Sequence, residues 1–99
     1  MAEHPLATLQ GIDPQIVKHL QDADGLIYGS GALSKKIKLL IAMAFDAAHG
    51  AENGVRALAA AALREGATRE EIAEALRVAY HLAGVGTLYT ASAGLKGVV

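Results

Sequence analysis

The sequence predicts an all-α fold of about five helices, and three observations carry that prediction. Alanine makes up roughly a fifth of the chain, well above ordinary usage, and it is the best helix former. Hydrophobic residues reach 53% while aromatics reach only 4%, so Ala, Leu, Val and Ile supply the apolar content. Those residues recur three and four apart, and no stretch alternates as a strand does. Ninety-nine residues suit one domain over 1–99, with no fixed-period repeat inside it.

Residues 1–12 read as irregular, held so by Pro5. Asp13 before Pro14 is a strong helix start, an N-cap acceptor followed by proline at the first helical position. Ile16, Val17, Leu20, Ala23, Leu26 and Ile27 then recur at helical spacing to about residue 28. Gly29-Ser30-Gly31 is the clearest flexible connection in the chain. Ser34 caps the next helix, with Leu33 placed to staple onto its first turn. Ile37, Leu40, Ile41, Ala44, Phe45 and Ala48 form a broad inward face on it, widened by Leu39 and Met43. So little polar surface remains that this helix is central.

Gly50 ends the central helix as a C-cap glycine does. The helix over about 52–65 faces inward through Val55, Leu58, Ala59, Ala62 and Leu63. Its other side carries Ala57, Ala60 and Ala61, an unusual shortage of charge for a solvated face. Gly66 stops it, and Thr68 with Glu71 forms a capping box that opens the next helix. Ile72, Ala75, Leu76, Ala79, Leu82 and Ala83 are its expected inward residues. Gly84 and Gly86 bracket a break before a last short helix around Leu88 to Leu95.

The mean hydropathy of +0.30 is high for a small monomer. No apolar run approaches the roughly twenty residues of a membrane span, so the excess is expected to be buried by self-association. The start, MAEHPLATLQ, has no basic segment and does not read as a signal peptide, so a cytoplasmic protein is expected. A net charge of −1 gives no footprint for nucleic acid, and Lys35, Lys36 and Lys38 read as a solvated first turn. Zero cysteines exclude disulfides, thiolate metal sites and thiol catalysis.

The order and spacing of three segments carry a resemblance: ALSKKIKLLIAMAFDAAHG, then REGATREEIAEALRVAY, then HLAGVGTLYTASA. Together they resemble the carboxymuconolactone decarboxylase and alkylhydroperoxidase D-like family, over most of the chain from Gly31 onward. The resemblance implies a small antiparallel helical bundle that assembles as a homotrimer or hexamer. In the family's peroxidase branch, a Cys-x-x-Cys at a helix start works with a histidine one turn later and a glutamate on the preceding helix. A thiol attacks only as thiolate, and a helix N-terminus with a neighbouring base lowers its pKa. Carried over by spacing, the cysteine positions fall on Ala51 and Gly54, the histidine on Leu58 and the glutamate on Leu39. All four are apolar or side-chain-free, so the redox centre is absent and those positions are expected to have become core.

His49 is the most interesting polar residue left. It lies three after Asp46, so the two share a helix face and could form an oriented general base. His81, beside Tyr80, could approach the same turn. The blander reading puts His49 at a helix C-terminus, whose partial negative charge attracts an imidazolium. No His-x-x-x-His occurs, so neither a metal site nor a cofactor is expected.

The leading expectation is therefore an oligomeric scaffold of that family without its redox site. The lack of cysteine and the alanine face also fit an engineered, self-assembling cage-type subunit. Its interface candidates are Arg56, Ala57, Ala60, Ala61 and Arg64, and a second designed chain is a further partner. The alternatives are a cysteine-independent acid-base enzyme of the decarboxylase type, using Asp46, His49 and His81, and a module that binds another protein through the helix over 52–65.

Overall fold

The computed structural model describes residues 4–99. Its elements are six helices: α1 (Ala7–Ile12), α2 (Pro14–Tyr28), α3 (Lys35–Ala48), α4 (Glu52–Arg64), α5 (Arg69–Ala83) and α6 (Gly86–Leu95). The family fold expected from the sequence is present, with one helix more than anticipated. That helix is α1, where an irregular segment was expected. Pro5 precedes it rather than interrupting it, and proline there does not oppose a helix. The chain's first three residues, part of the segment read as free of a signal peptide, lie outside the described residues.

The predicted starts form through the expected side chains. Asp13 accepts from the Ile16 amide at 3.1 Å, and Ser34 Oγ from the Ile37 amide at 3.2 Å. Thr68 and Glu71 complete the capping box, with bonds of 2.9 and 3.0 Å. These bonds satisfy backbone donors that a helix start leaves free. Gly50 and Gly66, with φ of +79° and +94°, end α3 and α4 in the left-handed region that glycine enters without strain.

α3 is central. It packs against α4, α5 and α6, and α6 closes the bundle across α4 and α5. The core holds Leu39, Leu40, Met43 and Ala47 of α3 against Val55, Ala59, Ala62, Ile72, Leu76 and Ala91. α4 and α6 cross closely at Gly94, where a Cβ would stand 2.8 Å from the Glu52 carbonyl and from Val55. Lys36 Nζ donates to Glu71 Oε2 at 2.9 Å, tying the first turns of α3 and α5 together.

The buried stripe of α3 differs from the expected one. Ile41 is 44% and Phe45 60% exposed, while the stripe through Leu39, Leu40, Met43 and Ala47 is buried. On α5, Ile72 and Leu76 are buried as expected, but Leu82 is 81% exposed and Ala83 is also exposed. Apolar periodicity marks surface that some protein covers, and this chain covers only part of it. α2 shows the same thing more strongly: of its apolar residues only Val17 is buried.

Candidate functional site

The turn from α3 to α4 places the residues of interest. His49 ends α3, its amide bonded to the Phe45 carbonyl at 3.0 Å. Its imidazole is exposed and leans on the Phe45 ring, with centroids 6.2 Å apart and planes tilted by 34°. Both rings line an open groove of about 310 Å³ between α3 and α5. Its other walls are Ala44, Ala48, Ala75, Val78, Ala79, Leu82 and Ala83, so His49 is its one polar group.

Asp46 points elsewhere. Its carboxylate lies against Gly54, in the first turn of α4, where an added Cβ would stand 2.7 Å from Asp46 Cγ. No hydrogen bond joins Asp46 to His49 among the described residues. Ala51 caps α4 without a side-chain acceptor. The Asp46 charge therefore meets the positive end of the α4 dipole, an electrostatic substitute for a cap. His81 is exposed on α5 and does not line the groove. Among the described residues no group of three or more His, Cys, Asp or Glu is placed to hold a metal ion.

The four positions where the family resemblance locates a redox centre divide. Leu39 is buried in the core, and Leu58 packs partly buried against it. Ala51 is a half-buried turn residue, and Gly54 provides the space that the Asp46 carboxylate fills. The only trace of this contact in the sequence is a glycine in the first turn of an otherwise alanine-rich helix, which lowers helix propensity there. Of the alanine face of α4, Ala60 and Ala61 are half-buried, Ala61 against the core, and Ala57 is exposed. Arg56 and Arg64 are exposed, and Arg56 Nη2 donates to the Ala93 carbonyl of α6 at 2.9 Å.

The helical order and the turn geometry define a class of protein. The model of the carboxymuconolactone decarboxylase family matches residues 14–96, and the chain belongs to that family. It is similar to apo-lpg0406, a carboxymuconolactone decarboxylase family protein from Legionella pneumophila known by its crystal structure. The two are 30% identical with a TM-score of 0.83, over 92% of this chain and 81% of that one. No curated protein matches the sequence. Among the described residues no helix is long and apolar enough to cross a membrane.

Proposed function

We propose that this chain is an assembly subunit: a carboxymuconolactone decarboxylase-family scaffold without the redox centre, acting by association with copies of itself as a trimer or hexamer. One observation carries the reading. The chain exposes 6780 Å², and a compact monomer of 10.2 kDa exposes about 5,300 Å². Large apolar side chains are part of that surface, with Ile12, Leu26, Phe45, Val78, Leu82 and Tyr89 each more than half exposed. Apolar surface on this scale is covered in working proteins, by partner chains where no membrane serves. The engineered, cage-type version of this reading rests on the alanine face of α4 and on the absence of cysteine, and it adds a second designed chain as partner.

A concentration series by analytical ultracentrifugation tests the proposal. Assembly gives a species several times the 10.2 kDa chain mass. A single species of chain mass at micromolar concentration removes it.

A second reading, a cysteine-independent acid-base enzyme of the decarboxylase type, is favoured by the groove beside His49. An imidazole at the rim of an apolar cleft can take a proton from a small carboxylated substrate held there. Titration of the protein with a small lactone carboxylate, followed by the His49 ring resonances, tests this reading. Shifts that saturate support it. Resonances unmoved at millimolar ligand exclude that substrate class.

A further inference from the structure

We propose that the groove between α3 and α5 binds a small amphipathic ammonium, an organic cation whose apolar body is the size of one ring. The inference goes beyond the assembly reading. It also assigns the groove the opposite charge of ligand from the carboxylate of the acid-base reading.

The two helices run side by side in the same direction. Lys36 and Glu71 tie their first turns together at 2.9 Å, and their last turns line the groove from its two sides. Two helix C-termini therefore meet there, and each carries a partial negative charge. Ala44 and Ala48 on one side and Ala75 and Ala79 on the other make the room, because their side chains are short. The volume of about 310 Å³ lies at the low end of small-molecule sites.

No Lys, Arg, Asp or Glu lines the groove. At the end of α3, the carbonyls of Phe45, Asp46 and Ala47 accept from the amides of His49, Ala51 and Gly50. The end of α5 is more open. Its Tyr80 carbonyl accepts from the Gly84 amide. Among the described residues those of His81, Leu82 and Ala83 have no protein donor. Leu82 and Ala83 are groove residues. Free acceptors at a helix C-terminus suit a ligand that donates N–H and carries positive charge.

The starts of α4 and α6 carry the opposite partial charge. The Asp46 carboxylate answers the first, and no residue of α6 lines the groove. Phe45 adds an aromatic face that is 60% exposed, and such a face attracts an ammonium. The remaining polar group, the His49 imidazole, offers an acceptor nitrogen when neutral.

Titration with three probes of one shape tests the inference: 2-phenylethylamine, 2-phenylethanol and 3-phenylpropionate. They are compared at about pH 8, where an alkylamine is protonated and an ordinary imidazole is not. The methyl resonances of Val78 and Leu82 report occupancy. The ammonium is expected to give saturating shifts and to bind roughly tenfold tighter than the alcohol, with the carboxylate weakest. Phe45→Leu, at a largely exposed side chain, is expected to narrow the lead of the ammonium over the alcohol. A carboxylate that binds as tightly as the ammonium overturns the inference and favours the acid-base reading. No saturating shift from any probe at millimolar concentration overturns the groove as a site. A monomeric chain that binds the ammonium supports the inference while removing the assembly reading.

Discussion

The bundle α3–α6 and the arm α1–α2 both carry apolar side chains at helical spacing but are held differently. The core cluster of the bundle contains Met43, Val55, Ala59 and Ala62, all with no exposed surface, whereas the arm buries only Val17. The apolar spacing of α2 is like that of α3, although α2 keeps a polar side through Lys18, Gln21, Asp22 and Asp24. What differs is how many neighbours the protomer provides. α3 meets four helices of its own chain, while α2 meets α1 and α3. The arm teaches that a helix can be written for burial and still be bare in the protomer that carries it.

Substitution in the two regions should break the comparison most visibly. Met43→Ala leaves a cavity in the centre of the bundle and is expected to cost about 2–5 kcal/mol of stability by chemical denaturation. Leu20→Ala, by contrast, should change protomer stability by less than about 1 kcal/mol, because the side chain is half exposed already. Its effect should appear in the association constant instead.

The next effect sharpens the account of the bundle. Gly94→Ala forces a Cβ against the Glu52 carbonyl and Val55 where α4 and α6 cross. Backbone cannot yield as a side-chain tip can, so a loss of about 1–3 kcal/mol is expected. An unchanged denaturation midpoint would show that the crossing is looser than described.

A smaller effect concerns the turn. Alanine in place of Gly54 gains about 1 kcal/mol of intrinsic helix propensity. In this chain the gain should be hidden, because the new methyl meets the Asp46 carboxylate. In an Asp46→Ala background it should reappear. The double-mutant cycle is expected to show a coupling of about 0.5–1.5 kcal/mol, and additivity would separate the two residues.

The smallest effect depends on pH. The Lys36 ammonium, and after it the Thr68 amide, hold the Glu71 carboxyl below its ordinary value of 4.5. The ionised form is thus favoured in the folded chain. Its contribution is present above the ordinary value and is lost as pH falls through the lowered one. Denaturation midpoints should therefore fall as the pH drops below about 4.5, and Glu71→Gln should flatten that slope. An equal slope in the variant would assign it to other carboxylates.

Much of the fold was legible because its punctuation is chemical. Asp13-Pro14, Ser34 and Thr68 with Glu71 name three helix starts, and Gly50 and Gly66 name two ends, each through a local bond or dihedral angle. α1 was missed because a proline at a helix start and a proline that breaks a helix look alike without their neighbours. α6 begins at Gly86, two residues earlier than the glycine pair suggested. The facing of α3 and α5 was harder still. Periodicity assigns Phe45 and Leu82 to a covered face but cannot say whose atoms cover it. At the turn, spacing found the four positions, whereas the Asp46–Gly54 contact depends on how α3 and α4 are set against each other.

Hydrogen exchange of the α2 amides at two protein concentrations tests most directly whether sister chains complete what the protomer leaves bare. The account predicts that protection between Ile16 and Ile27 rises with concentration, while that of the α3 core segment does not move. Equal protection of α2 at both concentrations, in a chain that sediments at 10.2 kDa, would contradict it.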